Sequence, residues 1–447
     1  MIFGTDGVRG IVNNTINTQL AYDIGCAYAK YILKHKLIKK IFVGRDTRNS
    51  GDTYASAIFS GLLDYGIDIV YVGIVSTPII SFLISRNYVG GGIMITASHN
   101  DYTYNGIKIF NEIGEKLSKK AENEIENLIN IKKHLPKVKG SIKYNRNYID
   151  DYFDYVLDVC KSDLSNYSIV IDCANGSNYY IAPYLYRKLG ANVIKCSCDS
   201  CGLNINKNCG ANYIENLRRE VLVHNADFGI AFDGDGDRLR IVLGNGKILD
   251  GDDILFVLAK QLKKEHKLKS DTIVGTIMTN YGLEEALQKI GIKLLRSDVG
   301  DKNVIDLMQK NNLYLGGEPS GHICLYEHNC TCDALFNSLF FFNLIVKYNL
   351  DIEKEITIIN RRHSILKNII VSKKIRSEWN LNNLIHHQIE GLKQKYEGHR
   401  IIVRPSGTEP VIRLYVEGMD IQTNKLIIDN LIQIISNLNN GWLFNVL

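Results

Sequence analysis

Short apolar runs alternate along this chain with longer stretches whose apolar residues recur at helical spacing. The runs Ile41 to Gly44, Ile69 to Val72 and Gly92 to Thr96 are short and bounded by turn residues, so they predict buried strands. Helical patterns lie between and after them, over Gly51 to Tyr65 and around Lys119 to Asn130. Because helices that link successive strands make crossovers, the pattern predicts an α/β fold with mainly parallel sheets covered on both faces.

The alternation of strands and helices restarts twice, which predicts several domains. The 447 residues are too many for one hydrophobic core, and new series of elements begin near Asn145 and near Asp252. We expect three consecutive α/β/α three-layer domains with mainly parallel mixed sheets, followed by a smaller C-terminal α+β domain. The predicted boundaries are 1–143, 144–250, 251–364 and 365–447.

Composition narrows the class of protein. Hydrophobic content is 45% and charged content 23%, as in ordinary globular proteins. No apolar run approaches the ~20 residues of a membrane span, and the N-terminus lacks the basic and apolar regions of a signal peptide. The net charge of +5 reflects only a mild excess of basic over acidic residues. We therefore expect a cytoplasmic protein without nucleic-acid or membrane partners.

The ten cysteines raise the question of a zinc site, because four of them lie close together in the sequence. Their spacing lacks the paired Cys-x2-Cys knuckles of ordinary zinc ribbons, so free thiols are the expected state and a structural zinc is the alternative. The four are Cys196, Cys198, Cys201 and Cys209.

Ser98 lies just beyond the strand predicted at Gly92 to Thr96. Ligands of open α/β sheets bind at the carboxyl ends of the strands, so Ser98 is a candidate nucleophile. His99 could move a proton, and Asn105 to Lys108 brings a tight turn and a cation back towards the serine. For this stretch alone, a plain Ser/Asn turn is the alternative.

Three carboxylates alternate with glycines directly after the strand predicted at Asp227 to Phe232. This spacing lets Asp233, Asp235 and Asp237 converge on one hard cation. A calcium loop of the EF-hand kind does not fit, because Arg238 occupies the sixth position, where glycine is needed. The stretch favours Mg²⁺, with a solvated acidic turn as the alternative.

Two later loops carry side chains suited to a sugar phosphate. Gly316 to His322 offers Glu, Ser and His beside glycines, which suits sugar hydroxyls; a glycine-rich turn with a satisfied histidine is the alternative. Arg404 to Pro410, with Arg413 further on, offers backbone N–H groups, two hydroxyls and two arginines. Such groups can make a nest for a phosphate dianion.

Taken together, these motifs resemble the α-D-phosphohexomutase superfamily and, within it, the phosphoglucosamine mutase branch. The resemblance extends from Phe3 to about Gly418, with a motif in each predicted domain and in the right order. The matching segments are Phe3 to Gly10, Gly44 to Arg48, Thr96 to Asn100, Asp233 to Arg238, Ser297 to Asp301, Gly317 to His322 and Arg404 to Pro410.

The resemblance implies a role for each motif. Members carry a phosphate on the serine, transfer protons near it with the lysine as preferred base, and steady the reacting phosphate with two arginines. The implied catalytic residues are Ser98, Lys108, His99, Arg9 and Arg238, and the implied metal ligands are Ser98, Asp233, Asp235 and Asp237. The implied substrate-binding residues are Glu318, Ser320, His322, Arg404, Ser406, Gly407, Thr408 and Arg413.

The resemblance also implies the reaction. A phosphoserine would phosphorylate glucosamine 6-phosphate, the 1,6-bisphosphate would turn over, and glucosamine 1-phosphate would leave to feed UDP-N-acetylglucosamine synthesis. The implied cofactor is one Mg²⁺ per active site, with glucosamine 1,6-bisphosphate as intermediate and activator. The implied partner is a small phosphosugar, and a homodimer is left open.

Three positions depart from the family pattern. Asp101 replaces a usual proline, Tyr104 a usual aspartate, and Pro319 a glutamine common in the phosphoglucosamine branch. Pro319 leaves a phosphomannomutase or phosphoglucomutase as the first alternative, whereas Gly407 favours the phosphoglucosamine branch. A non-catalytic sugar-phosphate sensor is a further alternative, which the intact Ser98 and aspartates disfavour.

Overall fold

The computed structural model describes residues 2–4, 6–129, 131, 138–379, 383–406 and 411–443. The chain divides into two units, one made of Met1–Thr279 with Ala286–Ile358 and the other of Asn280–Glu285 with Ile359–Leu447. Among the described residues, no helix combines the length and the apolar character needed to cross a lipid bilayer.

The first sheet has six strands, which lie between Val8 and Tyr144. Its strands are β1 (Val8–Ile11), β2 (Lys40–Arg45), β3 (Asp68–Ile74), β4 (Gly92–Ile95), β5 (Tyr104–Phe110) and β6 (Ile142–Tyr144). Its helices are α1 (Thr18–Lys34), α2 (Ser50–Leu63), α3 (Thr77–Ser85) and α4 (Lys119–Leu128). The strand order is β1-β5-β4-β2-β3-β6, with β5 antiparallel to both of its neighbours and the other pairs parallel.

Alternating side chains on β2 cover both faces of this sheet. Ile41 and Val43 belong to one buried cluster with Ile24 of α1 and Ile58 of α2. The position of Gly44 faces Ile80 of α3 on the other side. The strand is therefore buried between two helical layers, as its short unbroken apolar run predicted.

Two further series of strands and helices follow, and each forms one sheet. The second series contains α5 (Tyr148–Val159), β7 (Ser168–Asp172), α6 (Ile181–Lys188), β8 (Asn192–Cys196), α7 (Ile214–Val223), β9 (Phe228–Phe232), β10 (Leu239–Leu243) and β11 (Ile248–Leu249). Its sheet has the order β11-β10-β9-β7-β8. The third series contains α8 (Gly251–Lys264), a 3-10 helix (Lys269–Asp271), β12 (Thr272–Thr276), α9 (Tyr281–Lys289), β13 (Lys293–Ser297), α10 (Asp301–Lys310), β14 (Leu315–Gly317), β15 (Ile323–Leu325), α11 (Ala334–Tyr348) and α12 (Ile352–Ile356). Its sheet has the order β13-β12-β14-β15.

The second unit is built on a small antiparallel sheet. Its elements are β16 (His363–Ile370), α13 (Lys373–Ser377), α14 (Asn383–Lys395), β17 (Arg400–Pro405), β18 (Val411–Gly418) and α15 (Ile421–Leu443). β18 lies between β16 and β17, and its Ile412 and Leu414 are buried in one cluster with Ile427 and Leu431 of α15. The predicted fold class, three α/β sheets followed by a smaller α+β domain, is confirmed.

Candidate active site

A buried arginine fixes the loop that carries Ser98. Ser98 follows β4 and has a left-handed backbone, with φ 50°, which is uncommon for a residue other than glycine. The Arg48 guanidinium donates hydrogen bonds to the backbone carbonyls of Ser98 (3.0 Å) and Asn100 (2.6 Å), and its Nε pairs with Asp46 at 2.9 Å. Arg48 and Asp46 are fully buried. The surrounding structure thus holds the serine in a strained conformation.

The Ser98 hydroxyl lies against an aspartate and a histidine. Its Oγ donates to Asp233 Oδ2 at 3.1 Å and lies 3.3 Å from His99 Nδ1. Burial, together with the positive charges of Arg238 and Arg9, lowers the pKa of His99 to about 3. The imidazole is therefore neutral at pH 7, and its Nδ1 is the alternative acceptor for the single hydroxyl proton of Ser98.

The three aspartates converge as their spacing predicted. Asp233, Asp235 and Asp237 each offer a carboxylate oxygen within 4.8 Å of the others, and all three are buried. Asp233 Oδ1 accepts hydrogen bonds from the backbone N–H groups of Gly236, Asp237 and Arg238, which curl the loop around it. Burial and the charges of Asp237 and Asp235 raise the pKa of Asp233 well above its ordinary value.

This aspartate set fits a divalent cation. Within the described residues, Asp235 Oδ1 is buried without a hydrogen-bond partner, while Asp235 Oδ2 accepts from Thr77 Oγ1 at 2.6 Å. Mg²⁺ takes oxygen ligands and binds through few carboxylates, so a cation here would satisfy the unpaired oxygen and offset the repulsion among the carboxylates.

The Lys108 amine lies among three carboxylates. It contacts Asp6 Oδ2 at 2.8 Å, Asp235 Oδ2 at 2.9 Å and Asp237 Oδ2 at 3.5 Å. Burial alone would lower the pKa of Lys108, but Asp235, Asp6 and Asp237 outweigh it and raise that pKa well above its ordinary value. The side chain presents a positive amine beside the aspartate cluster.

Two arginines border the same cluster. Arg9 donates to Asn100 Oδ1 at 2.9 Å and pairs with Asp6 at 3.2 Å. Arg238 Nε lies 4.0 Å from Asp233 Oδ2, and its Nη1 donates to Asn212 at 3.2 Å. Both guanidinium groups are partly exposed, so a phosphate at Ser98 could reach them.

The loop between β14 and β15 connects the predicted sugar-binding residues to the aspartates. His322 Nδ1 lies 2.8 Å from Glu318 Oε2, and its Nε2 lies 3.2 Å from Asp237 Oδ1. Burial alone would lower the pKa of His322, but Asp237 and Glu318 raise it to about 10. Ser320 Oγ lies 3.3 Å from His322 Nδ1. His322 therefore joins the sugar loop to the metal loop.

Three loop backbones are in direct contact at this site. A Cβ atom placed on Gly234 would lie 2.6 Å from the Ser98 carbonyl oxygen, and one on Gly176 would lie 2.3 Å from the Gly234 carbonyl oxygen. Asn206 Nδ2 also donates to the Ser98 carbonyl at 2.8 Å. The serine loop, the metal loop and the loop after β7 therefore leave no room for a side chain between them.

The second unit contains the predicted phosphate-binding loop. Arg404 of β17 pairs directly with Arg413 of β18, and Arg413 Nη2 donates to Ser406 Oγ at 3.4 Å. Gly407 and Thr408, also predicted to bind substrate, lie outside the described residues.

The structure joins most of the predicted site residues of the first unit into one hydrogen-bonded network. Sequence reasoning gave no role to five residues that support it: Asp6, Asp46, Arg48, Lys116 and Asn206. Asp6, Asp46 and Arg48 lie in segments that matched the family pattern, which was the available signal for them.

The cysteines do not form a metal site in the part of the chain that the structure describes. All ten are free thiols, and the aspartate triad is the one group there with three or more His, Cys, Asp or Glu ligand atoms close enough to hold an ion. Among the described residues, the clustered cysteines therefore do not bring enough ligand atoms together to support the zinc alternative.

Four family models match the chain in order. They describe the phosphoglucomutase/phosphomannomutase α/β/α domains I, II and III, at residues 1–135, 147–246 and 250–361, and the C-terminal domain, at residues 366–433. The chain belongs to the phosphoglucomutase/phosphomannomutase family.

Its relatives place it more narrowly. Phosphoglucosamine mutase from Caldanaerobacter subterraneus subsp. tengcongensis is 39% identical over 428 residues, which cover 94% of this chain and 95% of the relative. Within the family, the chain therefore groups with the phosphoglucosamine mutases, as the motifs predicted.

Solved structures share the fold. A phosphoglucomutase/phosphomannomutase family protein from Burkholderia thailandensis has a TM-score of 0.81 at 22% identity, over 98% of this chain and 97% of that one. Aspergillus fumigatus N-acetylphosphoglucosamine mutase, solved with GlcNAc-6P and magnesium, has a TM-score of 0.68 at 15% identity, over 98% and 96% of the two chains.

Proposed function

We propose that this protein interconverts glucosamine 6-phosphate and glucosamine 1-phosphate through a phosphoserine at Ser98 and a glucosamine 1,6-bisphosphate intermediate. The carrying observation is the contact of the Ser98 hydroxyl with Asp233, inside a cluster of three buried aspartates and beside the Lys108 amine. The phosphoglucosamine mutase relatives support the choice of an amino sugar.

The aspartate cluster is the proposed site of one Mg²⁺. Asp233, Asp235 and Asp237 would hold the ion together with the phosphate on Ser98, and the unpaired oxygen of Asp235 supports this assignment. When bound, the ion supplies Lewis-acid polarisation of the phosphoryl group and offsets its charge.

The side chains around Ser98 have complementary proposed roles. Ser98 carries the phosphate, and His99 Nδ1 lies 3.3 Å from its Oγ. Lys108, the preferred proton-transfer residue, has its amine 2.9 Å from Asp235 in the adjoining aspartate cluster. Arg9 and Arg238 steady the reacting phosphate, because guanidinium groups bind phosphate oxygens in pairs. Positioning and electrostatics are the main means by which such sites lower the barrier to phosphoryl transfer.

Substrate binding is proposed for two loops. The first would hold the sugar hydroxyls and the second the phosphate that does not react. The proposed residues are Glu318, Ser320 and His322 in the first, and Arg404, Ser406, Gly407, Thr408 and Arg413 in the second. The domain boundaries at 1–143, 144–250, 251–364 and 365–447, a cytoplasmic location and a homodimer remain predictions from the sequence.

The test is a comparison of kcat/KM for glucosamine 1-phosphate and glucose 1-phosphate, with Mg²⁺ and a trace of each sugar bisphosphate. We expect a preference of about a hundredfold or more for the amino sugar, which is roughly 2.7 kcal/mol of transition-state discrimination. The variant Ser98→Ala should lose turnover of both substrates. A ratio near one would assign the enzyme to the broader hexose phosphate branch, and full activity of Ser98→Ala would exclude the phosphoserine.

A further inference from the structure

Lys116 bridges two carboxylates that are far apart in the sequence. It follows the turn after β5 and pairs there with Phe110, which places it on the same hairpin as Lys108. Its Nζ lies 2.7 Å from Asp6 Oδ1 and 2.7 Å from Asp301 Oδ2. The side chain is 12% exposed. An ion pair so well shielded from water is screened far less than a surface pair.

Each of these two carboxylates is connected to the active site through a short series of contacts. Asp6 contacts Lys116 with one oxygen and Lys108 with the other, the latter at 2.8 Å. Asp301 is the first residue of α10, and the N–H of the preceding Gly300 donates to Glu318 Oε1 at 2.9 Å. Lys116 therefore connects the Lys108 amine to the helix end that supports the sugar loop.

These contacts close into a ring. Glu318 continues to His322, which contacts Asp237, and Lys108 lies 3.5 Å from Asp237 Oδ2. The members in order are Lys108, Asp6, Lys116, Asp301, Gly300, Glu318, His322 and Asp237. Because Lys108, Asp6, Lys116 and Asp301 alternate in charge along the ring, displacement of one of them changes the forces on the next.

The charges explain why a cation is needed at position 116. Burial alone would lower the pKa of Lys116, but Asp301 and Asp6 raise it above its ordinary value, so the amine is positive. An uncharged side chain here would remove the cation that the two carboxylates share. Asp6 would then interact more strongly with Lys108 and Arg9, and the Lys108 amine would shift away from the aspartate cluster.

We propose that Lys116 is a positioning residue for phosphoryl transfer. It acts through Asp6 to hold the Lys108 amine at the aspartate cluster, and through Asp301 to hold the start of α10 beneath Glu318. This inference rests on the proposed function, because the role of Lys108 in the reaction belongs to that proposal.

The test compares Lys116→Met and Lys116→Arg with the control Lys302→Met. Lys302 Nζ donates to the backbone carbonyl of Leu117, so it joins the same two elements through an uncharged partner. We expect Lys116→Met to lower kcat by about 10- to 100-fold with KM within about threefold, as a small misplacement of a reacting group does. Lys116→Arg should recover kcat to within about fivefold, and Lys302→Met should stay within about threefold of wild type.

Two results would overturn the proposal. One is a kcat of Lys116→Met equal to wild type; the other is the same loss in Lys116→Met and Lys302→Met. If Lys116→Met does not fold, Asp301→Asn weakens the same bridge from its other end and should lower kcat in the same way.

A crystal structure of Lys116→Met separates this inference from the proposed function. We expect the Lys108 amine to lose its contact with Asp235. Wild-type distances from Lys108 to Asp6 and Asp235 would overturn the positioning role even if the wild-type protein turned over no amino sugar. If the wild-type protein turned over no hexose phosphate, but Lys108 were displaced in Lys116→Met, only the proposed function would be rejected.

Discussion

Replacement of Arg48 tests whether the buried ion pair beneath Ser98 sustains activity. Besides Ser98 and Asn100, the Arg48 guanidinium donates to the carbonyls of Asp101 and, at 2.8 Å, Tyr104. Arg48→Met keeps a side chain of similar length but removes every one of these hydrogen bonds. It also leaves the carboxylate of Asp46 buried without its cation.

The expected size of the effect follows from that lost pairing. Removing one partner of a buried ion pair costs about 3 to 5 kcal/mol. If this cost falls on the conformation of the Ser98 loop, kcat/KM should decrease by roughly 10² to 10⁴, because about 1.4 kcal/mol corresponds to a factor of ten. The double variant Asp46→Asn/Arg48→Met should recover about tenfold, since it leaves no unpaired buried charge.

The assay combines kcat/KM for glucosamine 1-phosphate with hydrogen exchange of the peptide that covers residues 97–105, which should exchange faster in Arg48→Met. Arg45→Met is the matched control: Arg45 ends the same strand, but its side chain pairs with Tyr71, Asp52 and the backbone carbonyl of Asp46 rather than with the Asp46 carboxylate. We expect Arg45→Met to keep its activity within about threefold. Unchanged exchange and activity in Arg48→Met would refute the reasoning.

Two further predictions concern carboxylates. Asp235→Asn should raise the Mg²⁺ concentration for half-maximal activity by at least about tenfold, because a charged ligand is lost; a Mg²⁺ titration measures this, and an unchanged midpoint would place the ion elsewhere. Burial raises the pKa of Asp172 to about 6, so the folded protein binds more protons than the unfolded chain between pH ~4 and 6, and stability falls as the pH rises through that window. The free energy of unfolding, measured with urea, should therefore change between pH 4 and pH 7 by about 2 to 3 kcal/mol more unfavourably in wild type than in Asp172→Asn; an equal change in the two proteins would contradict the assignment.

The sequence predicted those parts of the fold and site that depend on local spacing. β2, β3 and β4 match the expected strands closely, and three alternating carboxylates after β9 were enough to predict a metal loop. In contrast, α1 was not assigned: much of its buried face consists of small residues such as Ala21, Gly25 and Ala29, which give a weak apolar signal.

The supporting contacts of the site could not be read from spacing. Lys116 meets Asp6 across 110 residues and Asp301 across 185, and Arg48 reaches the Ser98 carbonyl across 50. In the sequence, each of these residues has charged or polar neighbours, and the same pattern is typical of exposed surface segments. Only the folded chain brings their charges together, so sequence reasoning named the reacting groups but not the residues that hold them.

The close contact of Gly234, Gly176 and the Ser98 carbonyl restricts the amino-acid substitutions that this site can accept during evolution. A methyl group on Gly234 would press on the Ser98 carbonyl, and one on Gly176 would press on the Gly234 carbonyl, so a substitution at either glycine would displace a loop of the site. The phosphoryl-transfer machinery should therefore drift very little among descendants of this protein. New substrate preferences should arise instead from side chains in the sugar loop, where Pro319 already differs from its common counterpart.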